Sequence, residues 1–254
     1  MKTSLLILSI ILGLFYGRIG QALNFDGSND FVQASRALTS TTYSITAWVN
    51  PNRFGSNNFL NSFFYQGTAS NDVGTRFTIG TCSACTVTNG NTGTLFFQNE
   101  QSGGASSFLT APDNAISLNA WQQVAITKDG ATETLYINGV QQSSRTNGNT
   151  NTPTNNNAFI GFWFSSTDAN RFFQGRIDDV RVYNRALSAA EVRMLYRGFP
   201  SRSDLVGHWP LIGNTSGNFE PDFSGLRNHG TRTNGPIRAA LSPFVRLFSL
   251  NRFR

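Results

Sequence analysis

The chain is short of the residues that do chemistry. Of its 254 residues two are cysteine, two are histidine, and only 13% carry charge. Both histidines, His208 and His229, lie beyond residue 200. A histidine-assisted nucleophilic triad is therefore excluded from the body of the chain. No apolar run reaches the length of a membrane span. Leu5 to Tyr16 is about a dozen residues, and a spanning helix needs about 20. With Lys2 ahead of it and the small residues Gly20 and Ala22 behind, the run reads as a secretory signal peptide over residues 1–22. A single-pass anchor is the weaker reading. The mature chain is expected to begin at Leu23, to be secreted and extracellular, and not to insert in a membrane.

Charge gives a second exclusion. The net charge of +6 invites a nucleic-acid reading, but residues 23–200 hold eleven basic and eleven acidic residues. A neutral body lacks the basic footprint that phosphate binding requires. The basicity sits at the two ends. The cysteines, Cys82 and Cys85, are spaced C-x-x-C, which in a secreted chain reads as a local disulfide. A redox centre wants a helix N-terminus beneath it, whereas Thr78-Ile79-Gly80-Thr81 and Thr86-Val87-Thr88-Asn89 read as strand or loop. A zinc site needs two further ligands, and both histidines are more than 120 residues away.

What is abundant points to β structure: 22 Phe, 24 Gly and many Thr and Asn. Apolar and polar residues alternate in short runs, over Ser44 to Val49, Trp121 to Thr127, Glu133 to Ile137, Phe159 to Phe164 and Arg176 to Tyr183. Asp129-Gly130 and Asn138-Gly139 between such runs are strong hairpin signals. Many short strands without alternating helices indicate an all-β sandwich or jelly roll. One helix is expected over about 188–197, opened by the capping box Ser188 to Glu191 and closed by Gly198 and Pro200. It is placed at the edge of the sandwich. Asn147 to Asn157 is a polar loop.

Four segments in order resemble the laminin-G-like, concanavalin A-like jelly-roll superfamily: Ala22 to Val32 (ALNFDGSNDFV), Tyr43 to Asn50 (YSITAWVN), Trp121 to Val140 (WQQVAITKDGATETLYINGV) and Gln174 to Leu195 (QGRIDDVRVYNRALSAAEVRML). The resemblance implies two antiparallel sheets packed face to face over residues 23–200, with the first and last strands as neighbours. It also implies a structural calcium between those strands, with Asp26, Asp30 and Asp178 as ligands; calcium takes six to eight hard oxygens. The competing reading is that Asp26 and Asn29 make Asx turns and that Asp178 or Asp179 pairs with an arginine.

The same superfamily houses glucanases, which need two carboxylates about 5 Å apart in retaining enzymes. No E-x-D-x-x-E strand pattern exists here, and alternation sends the neighbours Asp178 and Asp179 to opposite faces. No enzymatic activity is expected; a glycoside hydrolase is the remote alternative. For a ligand site, aromatic faces beside Asn and Asp suit sugars. Three consecutive aromatics cannot all face inward, so Trp163 and Phe164, followed by Asp168 and Asn170, are the expected contacts. Trp48 and Trp121 are expected in the core. The expected function is a non-catalytic recognition or adhesion module for glycan or extracellular protein, calcium-dependent if the metal site forms. A structural surface component is the alternative.

The tail repeats the family pattern. Asp204 to Leu211 (DLVGHWPL) and Asp222 to Gly230 (DFSGLRNHG) resemble the opening of another such domain, and Gly235 to Leu241 parallels Gly17 to Leu23. A partial jelly roll cannot bury its own faces. Residues 201–254 are thus a partial second repeat whose Leu205 to Leu211 either docks on the first domain or stays a remnant. Residues 236–254 are expected to be disordered. Asn214-Thr215-Ser216 is an N-glycosylation sequon.

Overall fold

The computed structural model describes residues 22–35, 37–54, 61–67, 74–79, 93–100, 106–146, 157–163, 172–213 and 217–239. Among them the chain forms two eight-stranded sheets and one helix.

The first sheet is built around β3 (Tyr43–Pro51) and β12 (Gln174–Tyr183), which pair antiparallel. On one side of β3 follow β8 (Gln122–Asp129), β9 (Thr132–Ile137) and β10 (Val140–Thr146). The turn between β9 and β10 is Asn138-Gly139, with φ of 51° and 76°. That is the type I′ geometry whose twist suits a two-residue hairpin. The other flank of β12 is shared. Its first half pairs with β1 (Ala22–Asp26), and its second half with β13 (Leu205–Trp209), where Val180 faces Trp209. β16 (Ile237–Ala239) pairs with β1 and closes this edge.

The second sheet runs in the order β14 (Phe219–Glu220), β15 (Gly230–Thr233), β2 (Phe31–Ala34), β11 (Ala158–Ile160), β4 (Asn61–Gly67), β5 (Gly74–Ile79), β6 (Leu95–Glu100) and β7 (Ser106–Thr110). Alternate residues of both sheets meet in one core that includes Leu23, Phe25, Val32, Ile45, Phe97, Ile126 and Val182. Trp209 and Leu211 of the tail are fully buried in that same core. The tail therefore buries Trp209 and Leu211 in the domain ahead of it and has no separate core among the described residues. The expectation of disorder over residues 236–254 does not hold for Ile237–Ala239. The open edge of β1 offers them backbone partners, and Ala22 to Asn24 take them up.

The helix, α1 (Ala189–Tyr196), begins as its sequence requires. Ser188 Oγ accepts from the Glu191 N–H at 3.3 Å, and Glu191 Oε2 accepts from the Ser188 N–H at 2.9 Å. Gly198, at φ 90°, ends it. Val192 and Leu195 pack with Ala125, Tyr136, Tyr183 and Leu205. These sit at positions that alternate with the core residues, so α1 lies on the outer face of the first sheet.

Candidate functional site

The outer face of the second sheet is aromatic. In β2, Val32 and Ala34 join the core, which leaves Phe31 and Gln33 pointing outward. In β11, Ala158 and Ile160 do the same and leave Phe159 outward. Gly161 then takes φ 82°, and a Cβ there would lie 2.5 Å from the Phe25 ring. The turn at Gly161 breaks the alternation. Phe162 and Trp163 consequently both join outer-face residues, although they are neighbours. Phe162 stacks on Phe31 at 5.2 Å and on Phe172 at 4.7 Å, and it meets Phe159 edge-on at 5.7 Å. Trp163 clusters with Tyr65 and Phe96, with Phe108 and Phe159 packed alongside.

The two halves of this cluster differ in exposure. Tyr65, Phe96 and Trp163 are buried, whereas Phe31, Phe159, Phe162 and Phe172 are half-buried. The expectation that Trp163 presents its ring is thus corrected: it is 4% exposed. The accessible aromatic surface is the phenylalanine group beside it. Sequence alternation alone missed this because Phe31 and Phe172 are distant in the chain. The Phe162–Phe172 bridge brings the second of them in. Phe164, Asp168 and Asn170 lie outside the described residues, as do Cys82, Cys85, Asn214 and residues 1–21.

The outer face of the first sheet is polar and largely closed. Trp48 is buried there under Tyr196 of α1, with the rings stacked at 5.7 Å. Trp121 is only half-buried. The register places Gln123, Trp48 and Asp178 in one row, and Thr46 and Arg181 in the next. Between these rows β12 carries a bulge, and Asp179 within it adopts φ 48°. The bulge overturns the expectation that Asp178 and Asp179 face opposite ways. Asp179 Oδ1 accepts from Arg181 Nε at 2.9 Å and from His208 Nε2 at 2.8 Å. Burial works to raise the Asp179 carboxyl, but Arg181 and His208 outweigh it and hold the group below the usual carboxylate range. Burial also pushes the His208 imidazole down, against the pull of Asp179.

The carboxylates nominated for calcium divide into two places. Asp26 and Asp30 share a turn: Asp30 Oδ2 accepts from the Asp26 N–H at 3.0 Å, and Asp26 Oδ1 accepts from Ser28 and Asn29 N–H at 2.7 and 3.3 Å. That is the Asx-turn use of these residues. Asp26 faces Gln174 across the strand pair. Asp178 is four residues further along β12, about 13 Å at the rise of a strand. Among the described residues no three of His, Cys, Asp or Glu converge on a metal-sized site. Asp26, Asp30 and Asp178 do not form one calcium shell.

Two face-to-face antiparallel sheets with one outer face aromatic and the other capped by a helix define a jelly-roll sandwich. Residues 26–193 match the model of the laminin-G-type family described as the concanavalin A-like lectin/glucanases superfamily, and the chain belongs to that family. The fold is similar to that of a Bacteroides ovatus protein described as carbohydrate binding, at TM-score 0.69 and 20% identity over 89% of this chain and 61% of that one. It is also similar to a pentraxin from Limulus polyphemus, at TM-score 0.63 and 14% identity, covering 89% and 97% of the two chains. A third similar structure is the CBM40 of a Ruminococcus gnavus sialidase bound to α2,3-sialyllactose, at TM-score 0.51 and 15% identity, covering 69% and 97%. In sequence, 107 residues are 33% identical to Paraclostridial mosquitocidal protein 1 of Paraclostridium bifermentans. The match spans 41% of this chain and 8% of that protein.

Proposed function

We propose that the protein is a secreted, non-catalytic recognition module that binds glycan on the outer face of its second sheet. The observation that carries this reading is the half-buried group of Phe31, Phe159, Phe162 and Phe172, held on strands and bordered by the amide of Gln33. Aromatic rings on a rigid sheet offer apolar surface to the C–H face of a pyranose at little entropic cost, and neighbouring polar groups orient its hydroxyls. Membership of a superfamily of lectins and glucanases, and the likeness of its fold to carbohydrate-binding proteins, support the same reading. The non-catalytic part is supported by how the carboxylates are used. Asp26 organises a turn, Asp179 is committed to Arg181 and His208, and Asp222 holds the 222–228 turn through Ser224 and Asn228.

A glycan array probed with the chain from Leu23, with and without calcium, tests the proposal. Binding that Phe162→Ala weakens about tenfold is the expected result, the loss of one aromatic contact worth about 1.4 kcal/mol. Silence from a folded protein would favour a structural surface component. Release of sugar products would replace the binding reading with a hydrolase.

A further inference from the structure

The aromatic face does not stop where the family match ends at residue 193. Strand register continues it into the tail. Phe159 of β11 faces Gln33 of β2, Gln33 faces Thr231 of β15, and Thr231 faces Phe219 of β14. These four residues form one row across four strands, all on the outward side. Their alternates Val32 and Ala158 are in the core, and Glu220 and Arg232 pair with each other at 3.2 Å, with Glu220 fully buried. Phe219 is 44% exposed, and its ring leans on His229 at 4.9 Å. No hydrogen bond ties down the side chains of Gln33 or Thr231 among the described residues.

Three inter-strand spacings separate Phe159 from Phe219, about 14 Å. That is wider than one pyranose ring, so two aromatic surfaces in one row, with free amide and hydroxyl groups between them, suit a chain of sugars. The outward positions of β2, β11, β14 and β15 are Phe31, Gln33, Phe159, Phe219, Thr231 and Thr233. None of these is a carboxylate or a guanidinium. The same row reaches Arg76 of β5 only on the other side of Phe159, beyond Tyr65, so a ligand running from Phe159 towards Phe219 meets no charged partner in it.

We propose that Phe219 and Thr231, both from the C-terminal tail, form an outlying subsite of the glycan face, and that its ligand is a neutral oligosaccharide lying across the strands. One ring sits on the Phe31–Phe159–Phe162 group, a later ring on Phe219, and Gln33 and Thr231 bond the hydroxyls between. This rests on the glycan reading of the same face.

The test is titration of cellohexaose, laminarihexaose and β-1,4-galactohexaose, with glucose and galactose as the single-ring counterparts and sialyllactose as the acidic one. Phe219→Ala is expected to weaken hexasaccharide binding about tenfold and to leave the monosaccharide unchanged, whereas Phe162→Ala weakens both. Phe219→Tyr restores the hexasaccharide. Because Phe219 is exposed, an unchanged melting curve accompanies its loss. If Phe162→Ala weakens binding and Phe219→Ala does not, the outlying subsite is overturned and the glycan face stands. If neither substitution matters, the glycan face itself is wrong. Binding confined to sialylated glycans would overturn the neutral class.

Discussion

The two outer faces of the sandwich follow from one alternation rule and end in opposite conditions. On the first sheet the outward positions are Thr46, Trp48, Gln123, Asp178 and Arg181, and the chain itself covers them: Tyr196 of α1 stacks on Trp48, and His208 of β13 bonds Asp179. On the second sheet the outward positions include Phe31, Phe159, Phe162 and Phe172, which stay half-buried, and Phe219, which is exposed. Polar residues have been closed in, and apolar ones left accessible. That inversion of the usual preference is the reason the proposed binding site is placed on the second face. The closed face is not fully satisfied either. Among the described residues, Trp48 Nε1, Thr46 Oγ1 and both polar atoms of the Gln123 side chain have no hydrogen-bond partner.

The comparison sharpens into substitutions with separable outcomes. Leu195→Ala strips packing from the helix that covers the first face. We expect about 3 kcal/mol of lost stability by denaturant unfolding, with glycan affinity unchanged in the folded fraction. Glu220 comes next. Its burial beneath the outer row pushes its carboxyl up to about 7, with Arg232 opposing. A raised acid is stabilising while protonated, so the contribution is present below the ordinary value of 4.5 and is lost as pH rises to 7 and beyond. On the order of 3 kcal/mol should disappear between pH 4.5 and pH 8. In Glu220→Gln that slope should flatten, measured by unfolding at several pH values. Phe162→Ala is expected to cost about tenfold in affinity, read in the folded fraction, and also about 1–2 kcal/mol of stability from the lost ring contacts with Phe31, Phe159 and Phe172. The smallest effect is Glu191→Ala. Glu191 is held down to about 2 by its bonds to Arg185, with a further contribution from Ser188. It is partly exposed, and losing the capping box should cost about 1 kcal/mol by thermal unfolding, with neither face altered.

Much of the architecture was legible because it rests on short-range rules. The alternation of Ser44 to Val49, the Asn138-Gly139 turn and the Ser188–Glu191 box each dictate their own geometry. The Asn138-Gly139 turn and the helix cap stand where those residues put them, whereas the β8–β9 turn falls one residue on, at Gly130-Ala131, because Asp129 still pairs with Thr132. The candidate site was less legible. Trp163 was singled out for its type and its place beside polar residues, but it is packed against Tyr65 and Phe96. What redirected it was Gly161, whose left-handed backbone lets two consecutive aromatics reach one face. The bulge at Asp179 similarly defeated a strict reading of alternation. The aromatic row depends on pairings between β11, β2 and β15, which are separated by long stretches of chain, and no local pattern reports such pairings. Residues 237–239 were missed for a related reason: their partner is the edge of β1, more than 200 residues earlier.

The central claim is that ligand meets the second sheet's outer face and not the first. Amide chemical-shift mapping during titration with a hexasaccharide hit decides it most directly. The account predicts the largest shifts in residues 31–33, 159–163 and 172, continuing to 219 and 231. Shifts concentrated in residues 46–50, 122–125 and 176–181 would contradict it.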